Sequence, residues 1–171
     1  MLPRALIGAI LVIALLAAGC GDDGQSAADA AEVRRAYVAK VDALCKKVTE
    51  QSRPINRKIQ ALIEGSGTYA SRVRKGAPLL QQTYDAQAAK LERFKSIEPP
   101  EGDRAQIQRL TKSAEALLED LRDGIPAARR GDLPAIIDLA TDATGNRAKT
   151  ERLGLTYGFR EDCFGLPIKL Q

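Results

Sequence analysis

The amino-acid sequence predicts an all-α fold, namely an up-down-up-down four-helix bundle with an irregular C-terminal tail stapled by a disulfide. Apolar residues recur at intervals of three and four in four segments of about 25 to 30 residues, which is the period of an amphipathic helix. Glycines and prolines separate the segments, and short connections of this kind favour antiparallel neighbours. Two cysteines, Cys45 and Cys163, could join the tail to the first helix.

The first helix is predicted over residues 33 to 63. Pro54 is expected to kink it or to divide it near Ser52 and Arg53, where the apolar pattern has a gap. The turn segment at residues 65 to 67, Gly-Ser-Gly, closes the helix. The apolar positions that share one face are Val33, Tyr37, Val41, Leu44, Val48, Ile55, Ile59 and Leu62.

The second helix is predicted from Tyr69 to Phe94, with Thr68 as its N-cap. Gly76 and Pro78 are both poor residues for a helix interior, so the pattern predicts a break there. The diproline at residues 99 and 100 stops the helix.

The boundary between the third and fourth helices is marked by two adjacent residues. The third is predicted over residues 107 to 128 and ends at Gly131. Asp132 stands before Leu-Pro, which is a favourable N-cap for the fourth helix. That helix is expected to run to about Tyr157, with Gly145 weakening its middle.

The N-terminal segment has the features of an export signal. An apolar run of 14 residues, from 5 to 18, is shorter than the roughly 20 residues that cross a bilayer but suits a secretory signal. It ends in Leu-Ala-Ala-Gly-Cys at residues 16 to 20, and these residues resemble the end of a bacterial lipoprotein signal peptide. The family usually has Leu where Ala17 stands. The resemblance implies cleavage after Gly19 and acylation of Cys20.

The chain is thereby divided into a lipoprotein signal peptide (1–19), a lipidated N-terminus with a flexible tether (20–31) and a helical bundle domain with its tail (32–171). The tether is small, polar and acidic, and its Ala-rich end is expected to be a frayed helix start. Acyl chains on Cys20 would hold the domain on the extracytoplasmic face of the cell membrane. An unmodified thiol in an uncleaved anchor or an ordinary signal peptide is the alternative.

After Cys20, an even pair of cysteines is left, and an exported protein can oxidise such a pair. We therefore predict a disulfide between Cys45 and Cys163, with two free thiols as the alternative. In an up-down-up-down bundle the fourth helix ends beside the start of the first, and Cys45 lies about 12 residues into that first helix. The tail must therefore double back along the bundle for Cys163 to reach Cys45. Its apolar residues provide the contacts for this path: Phe159, Phe164, Leu166, Ile168 and Leu170.

The composition excludes several chemistries. The chain has no histidine, so histidine triads and His-containing metal or haem sites are absent, and we expect no metal and no cofactor. Glu115, Glu119 and Asp123 gather carboxylates along the third helix, where acid–base catalysis is one interpretation and a solvated surface the other. Only seven residues are aromatic and no nucleic-acid motif occurs, so a nucleic-acid partner is not expected.

Basic residues are in excess in the body of the protein. From residue 33 onward the chain has 25 basic and 18 acidic residues. Runs at two places are candidate contacts for lipid headgroups or an anionic wall polymer, although an ordinary bundle surface would also account for them. These residues are Arg72, Arg74, Lys75, Arg129 and Arg130.

The body contains three short structural motifs: the Tyr-Val-Ala-Lys-Val-Asp-Ala-Leu-Cys run that ends at Cys45, the diproline at 99 and 100, and Leu-Gly-Leu at 153 to 155 before Cys163. These motifs resemble those of a loose group of small, uncharacterised actinobacterial lipoproteins. The resemblance implies no activity. The sequence therefore favours a non-enzymatic binding or structural role at the envelope, with the membrane, an envelope protein or a wall polymer as partner. The alternatives are a carrier of an apolar ligand in the bundle core and a carboxylate-dependent wall-glycan hydrolase.

Overall fold

A computed structural model describes residues 27–165 of the chain, which contain four α-helices and no strand. The all-α prediction is confirmed. The signal peptide, Cys20, most of the tether and the tail residues Leu166, Ile168 and Leu170 lie outside the described residues. The helices are α1 (Ala27–Glu64), α2 (Tyr69–Lys95), α3 (Arg104–Arg130) and α4 (Leu133–Tyr157), and a single 3₁₀ turn (Glu101–Asp103) precedes α3.

The predicted caps are confirmed. The Thr68 hydroxyl accepts a hydrogen bond from the Ser71 amide at 3.3 Å, and the Asp132 carboxylate accepts one from the Ala135 amide at 3.3 Å. Gly131 ends α3 with φ +70°, a left-handed conformation that an L side chain adopts at a cost. Local signals in the sequence therefore set the beginnings of α2 and α4.

Two predicted interruptions do not occur, namely the division of α1 near Ser52 and the break of α2 at Gly76, whereas the kink at Pro54 stays a prediction. Both α1 and α2 continue through their prolines, Pro54 and Pro78, so α1 is one helix of 38 residues and the break at Gly76 does not occur. An interior proline costs about 3 kcal/mol, but the buried apolar face on both sides of it offsets that cost. Ser52 is itself buried and fills the gap in the apolar pattern. The Ala-rich end of the tether is helical from Ala27.

Consecutive helices pack side by side: α1 on α2, α2 on α3, and α3 on α4. The disulfide between Cys45 and Cys163 is formed, with the two Cα atoms 5.0 Å apart, so the predicted pairing is confirmed. It joins the tail to the middle of α1. The up-down-up-down order of the helices stays a prediction.

Candidate functional site

One part of the bundle is filled around the disulfide. We call it the disulfide cluster, and its buried side chains come from all four helices and the tail: Tyr37, Val41, Cys45, Leu91, Phe94, Ile107, Leu110, Tyr157, Phe159, Cys163 and Phe164. The ring centroids of Phe94 and Phe164 are 5.0 Å apart, and those of Tyr157 and Phe159 are 4.8 Å apart. A space of about 30 Å³ beside the disulfide is no larger than the volume of one water molecule. This part of the core has no room for a ligand.

A buried carboxylate closes the disulfide cluster. Asp103 accepts hydrogen bonds from Arg34 Nε at 2.8 Å and from the Tyr157 hydroxyl at 2.7 Å, and it also forms an ion pair with Arg34 Nη2. The hydrogen bonds from Arg34 hold the pKa of Asp103 below its usual value. Burial, followed by the bond to Asp103, raises the pKa of the Tyr157 hydroxyl. Both groups keep their usual ionisation at neutral pH, so the arrangement ties three helix ends together and supplies no acid or base.

Lys90 joins α2 to the tail. Its Nζ donates a hydrogen bond to the Cys163 carbonyl oxygen at 2.7 Å and lies 5.9 Å from the centre of the Phe164 ring. Burial lowers the pKa of Lys90 to about 8. Sequence reasoning missed Lys90 and Asp103, because both are charged residues in helical or turn segments with no motif around them. The role of Lys90 depends on where the tail packs, and the role of Asp103 depends on where α1 and α4 meet the turn before α3.

A second region, beyond the disulfide cluster, is open. It is a cleft of about 260 Å³ between the end of α1, the first part of α2, the end of α3 and the first part of α4. We call it the apolar cleft. Aliphatic side chains from the four helices form most of its wall, among them Ile59, Leu62, Val73, Leu80, Leu121, Ile136 and Leu139.

Small residues and a lightly buried helix keep this cleft open. Gly76 and Gly124 line it from helix interiors, where each glycine costs about 1 kcal/mol relative to alanine. A Cβ at Gly124 would lie 3.9 Å from Leu139 Cδ1, so the glycine leaves usable space. The buried residues of α4 begin only at Thr150, and Ile137 in its first half is 60% exposed. Gly76, which was predicted to break α2, instead lines the cleft from within that helix.

Few polar groups line the apolar cleft. Asp120 accepts a hydrogen bond from Asn146 Nδ2 at 2.7 Å, and Arg147 forms an ion pair with Glu151 at 2.8 Å. Arg72 Nη1 donates to the carbonyl oxygens of Ile63, in the last turn of α1, and Gly65, which follows that helix. The apolar cleft is therefore hydrophobic with a small number of fixed charges, which is the usual character of a small-molecule site.

The structure brings some of the basic candidates together and separates others. Arg74 lies against Gly131. A Cβ atom added to Gly131 would be 2.7 Å from Arg74 Nε. Arg129 Nη2 donates to Gln81 on α2 at 3.3 Å, and Arg130 pairs with Asp132 at 3.6 Å. Arg74 thus lies at the end of α3, the helix whose last turn contains Arg129 and Arg130. Lys75 is exposed, whereas Arg72 lies in the cleft.

The carboxylates of α3 lie on the surface. Lys95 Nζ binds Glu115 at 3.2 Å and Glu92 at 3.0 Å, and Arg122 pairs with Asp123 at 3.0 Å. Glu119 is exposed and lies with Glu115 along an open groove between α2 and α3. Ion-paired, solvated carboxylates of this kind lack the burial that separates the pKa values of a catalytic pair.

Within residues 27–165, no group of three His, Cys, Asp or Glu side chains is placed to hold a metal ion. None of the helices in the same range combines the length and the hydropathy needed to cross a bilayer. No protein-family model, curated protein or solved structure matches the chain.

Proposed function

We propose that this protein is a lipid-anchored, extracytoplasmic binding protein that holds a ligand with an apolar body in the apolar cleft, without catalysing a reaction. The observation that carries the proposal is a cleft of about 260 Å³, lined by aliphatic side chains from all four helices, in a molecule whose disulfide cluster is filled. Of the alternatives that the sequence leaves open, the cleft favours the carrier of an apolar ligand.

The size and lining of the cleft suit a medium-length hydrocarbon. An engineered apolar cavity of about 150 Å³ binds benzene, and typical ligand clefts begin near 300 Å³. Each CH₂ group that leaves water contributes about 0.8 kcal/mol. A chain of several methylenes would therefore bind with useful affinity even before a polar contact is made.

The location rests on Cys20 and on the disulfide. Lipidation of Cys20 would place the domain outside the cytoplasm, and the Cys45–Cys163 disulfide suits such an oxidising compartment. From Ala27 to Ile59, α1 extends about 48 Å, so the apolar cleft lies far along the helix from the tether. A ligand in the cleft would thus be held away from the point of anchorage.

The wall-glycan hydrolase has less support. A glycosidase needs two carboxyl groups about 5 to 9.5 Å apart across a substrate cleft, one of them in an environment that raises its pKa. Glu115 shares Lys95 with Glu92, and Asp123 is paired with Arg122 on an exposed surface. Arg129 and Arg130 are exposed, with surface partners in Gln81 and Asp132, and stay candidate contacts for an anionic wall polymer or lipid headgroups.

Binding is tested with N-phenyl-1-naphthylamine, a neutral apolar dye whose fluorescence rises in an apolar site. The protein is the mature chain, residues 20 to 171, with Cys20→Ser so that no acyl chain competes for the dye. Ala143→Phe places a ring in the cleft and is expected to abolish the fluorescence increase. Ala148→Phe on the exposed side of α4 is the matched control and should bind as the parent does. Equal binding by both variants would refute the cleft as the site.

Anchorage is tested separately in bacterial cells. Cys20→Ala removes the thiol that would carry the acyl chains, so the protein should leave the membrane fraction and remain soluble. Tight membrane retention of this variant would show that another anchor operates.

A further inference from the structure

We propose that the ligand of the apolar cleft carries an anionic end group, a carboxylate or a phosphate, which is held by the Nε and Nη2 edge of Arg72. This inference rests on the proposed function, because it assigns the chemical class of the ligand in the same cleft. It makes the ligand an amphiphile with a hydrocarbon body and one acidic end.

The Arg72 guanidinium is fixed in orientation by the end of α1. Its Nη1 donates to the carbonyl oxygens of Ile63 at 2.6 Å and Gly65 at 2.8 Å, and these bonds use both Nη1 hydrogens. The guanidinium carbon lies 5.7 Å from the centre of the Tyr69 ring. The Nη1 group is therefore fully used in these two hydrogen bonds. The opposite edge of the planar guanidinium, formed by Nε and Nη2, makes no bond to them.

Among the described residues, none supplies an acceptor to that edge. Arg72 Nε is buried and has no hydrogen-bond partner, and within residues 27–165 no carboxylate forms an ion pair with this guanidinium. Arginine stays charged at any physiological pH, and a buried donor left without an acceptor costs about 1 to 3 kcal/mol. A ligand that supplies the acceptor removes this cost when it binds.

The Nε and Nη2 edge selects the kind of acceptor. Two parallel N–H groups in one plane match the two oxygens of a carboxylate or a phosphate, and such bidentate pairs are stronger than bonds to neutral acceptors. An alcohol offers one neutral oxygen, which cannot align with both parallel N–H groups at once. The Arg72 edge therefore predicts discrimination by charge and by shape.

The other charges of the cleft set the direction of the ligand. Arg147 is engaged by Glu151, and the carboxylate of Asp120 lies on the wall contributed by α3 and repels an anion there. The acidic end therefore lies at Arg72, near the turn between α1 and α2. The hydrocarbon extends from it past Leu121 and Leu139 toward Ala143.

The test compares three ligands with the same ten-carbon chain, each below its micelle concentration: decanoate, decyl phosphate and decanol. Dissociation constants are measured by calorimetry on the mature chain with Cys20→Ser. We expect decanoate and decyl phosphate to bind about tenfold more tightly than decanol, since a charged hydrogen-bonded pair adds to equal chain burial. Inorganic phosphate alone is the fourth arm and should bind at least 100-fold more weakly than decyl phosphate, because it buries no hydrocarbon.

Arg72→Gln should remove the preference for the acidic ligands, so that decanoate, decyl phosphate and decanol bind this variant with similar dissociation constants. Arg72→Lys, which keeps the charge and loses the planar edge, should retain only part of it. Arg74→Gln, which changes an arginine two residues away and outside the cleft, is the matched control and should retain all of it.

The outcomes separate the two proposals. Equal binding of decanoate and decanol by the parent protein would overturn the role of Arg72 and leave the apolar cleft as a binding site. A preference that survives Arg72→Gln would overturn that role as well. Failure of all three ten-carbon ligands to bind would overturn the proposed function itself. The comparison within the parent needs no variant, so an unstable Arg72 variant does not prevent the test.

Discussion

The disulfide cluster and the apolar cleft are two stretches of the same four helices, yet one is filled and the other is open. At the disulfide cluster the tail contributes Phe159 and Phe164, which lie between the helices. At the apolar cleft no described residue of the tail takes part, and Gly76 and Gly124 line the wall. Within residues 27–165, α1 and α4 make no extended contact with each other. A tail segment is thus what fills the seam between these helices at one end.

The difference has a consequence for local stability. Regions with many buried apolar contacts open only at high free energy, whereas regions with few such contacts open more easily. The disulfide cluster should therefore carry most of the free energy of unfolding. The apolar cleft is the region where a ligand can be admitted without disrupting the core.

The largest expected effect comes from truncating a ring of the disulfide cluster. Phe94 is 2% exposed, so Phe94→Ala should lower the free energy of unfolding by about 4 kcal/mol, as buried Phe-to-Ala changes do. Leu139→Ala on the wall of the cleft should cost about 1 kcal/mol or less, because its side chain already faces open space. Urea denaturation of both variants measures the contrast, and equal losses would contradict the division into a filled and an open region.

Removing the disulfide comes next. Cys45→Ser combined with Cys163→Ser should lower the free energy of unfolding by about 2 to 5 kcal/mol and the Tm by about 10 °C, since the crosslink closes a loop of over 100 residues. Thermal denaturation followed by circular dichroism measures the change. Dye binding at the cleft should persist below the new Tm. An unchanged Tm would show that the crosslink does not stabilise the disulfide cluster.

A smaller and pH-dependent effect is expected from Asp103. Asp103→Asn should cost about 2 kcal/mol at pH 7, because it weakens the buried bonds to Arg34 and Tyr157. The pKa of Asp103 is lowered in the folded state, so its contribution is complete above the unfolded pKa of about 4 and is lost as the pH falls below that. The difference in free energy of unfolding between parent and variant should therefore shrink as the pH is lowered from 5 to 2 in denaturation experiments.

The control for this prediction is Asp123→Asn, which removes an exposed pair with Arg122. Exposed pairs contribute about 0 to 1 kcal/mol, so this variant should follow the parent at every pH. A gap for Asp103→Asn that is constant from pH 7 to pH 2 would contradict the role of its ionised form.

The features that could be predicted from the sequence are those that depend on residues close together in the chain or on a single possible pairing. Thr68 and Asp132 act through their own neighbours, so the cap positions were predictable, and the single remaining cysteine pair fixed the path of the tail. The break at Gly76 was wrong because the packing of α2 on its neighbours outweighs local propensity there. Asp103 and the cleft-lining Arg72 gave no such signal. Arg72 was predicted only as a surface contact, because nothing in the sequence shows that its guanidinium turns back to the carbonyl oxygens of Ile63 and Gly65.

The smallest expected effects come from replacing one glycine by alanine in each region. The change in the free energy of unfolding should have opposite signs at the two places. Gly124→Ala adds a methyl group 3.9 Å from Leu139 Cδ1, which is ordinary contact, and it improves helix propensity. It should stabilise the protein by about 0.5 to 1 kcal/mol. Gly154→Ala places the methyl group 3.0 Å from Phe164 Cδ2, inside the disulfide cluster, where that ring already packs against Phe94 at a centroid distance of 5.0 Å. It should destabilise the protein by about 1 to 2 kcal/mol.

Gly124 lies in the interior of α3 and Gly154 in the last turn of α4, so both substitutions can gain helix propensity, and a difference in sign between the two variants reports packing. Free energies of unfolding in urea, measured on the same preparation, give that difference directly. Stabilisation by both substitutions would show that Phe164 can shift, and that the disulfide cluster is less tightly filled than the ring contacts indicate. Destabilisation by both would show that the wall at Gly124 has no spare volume, which would remove the space that the ligand requires.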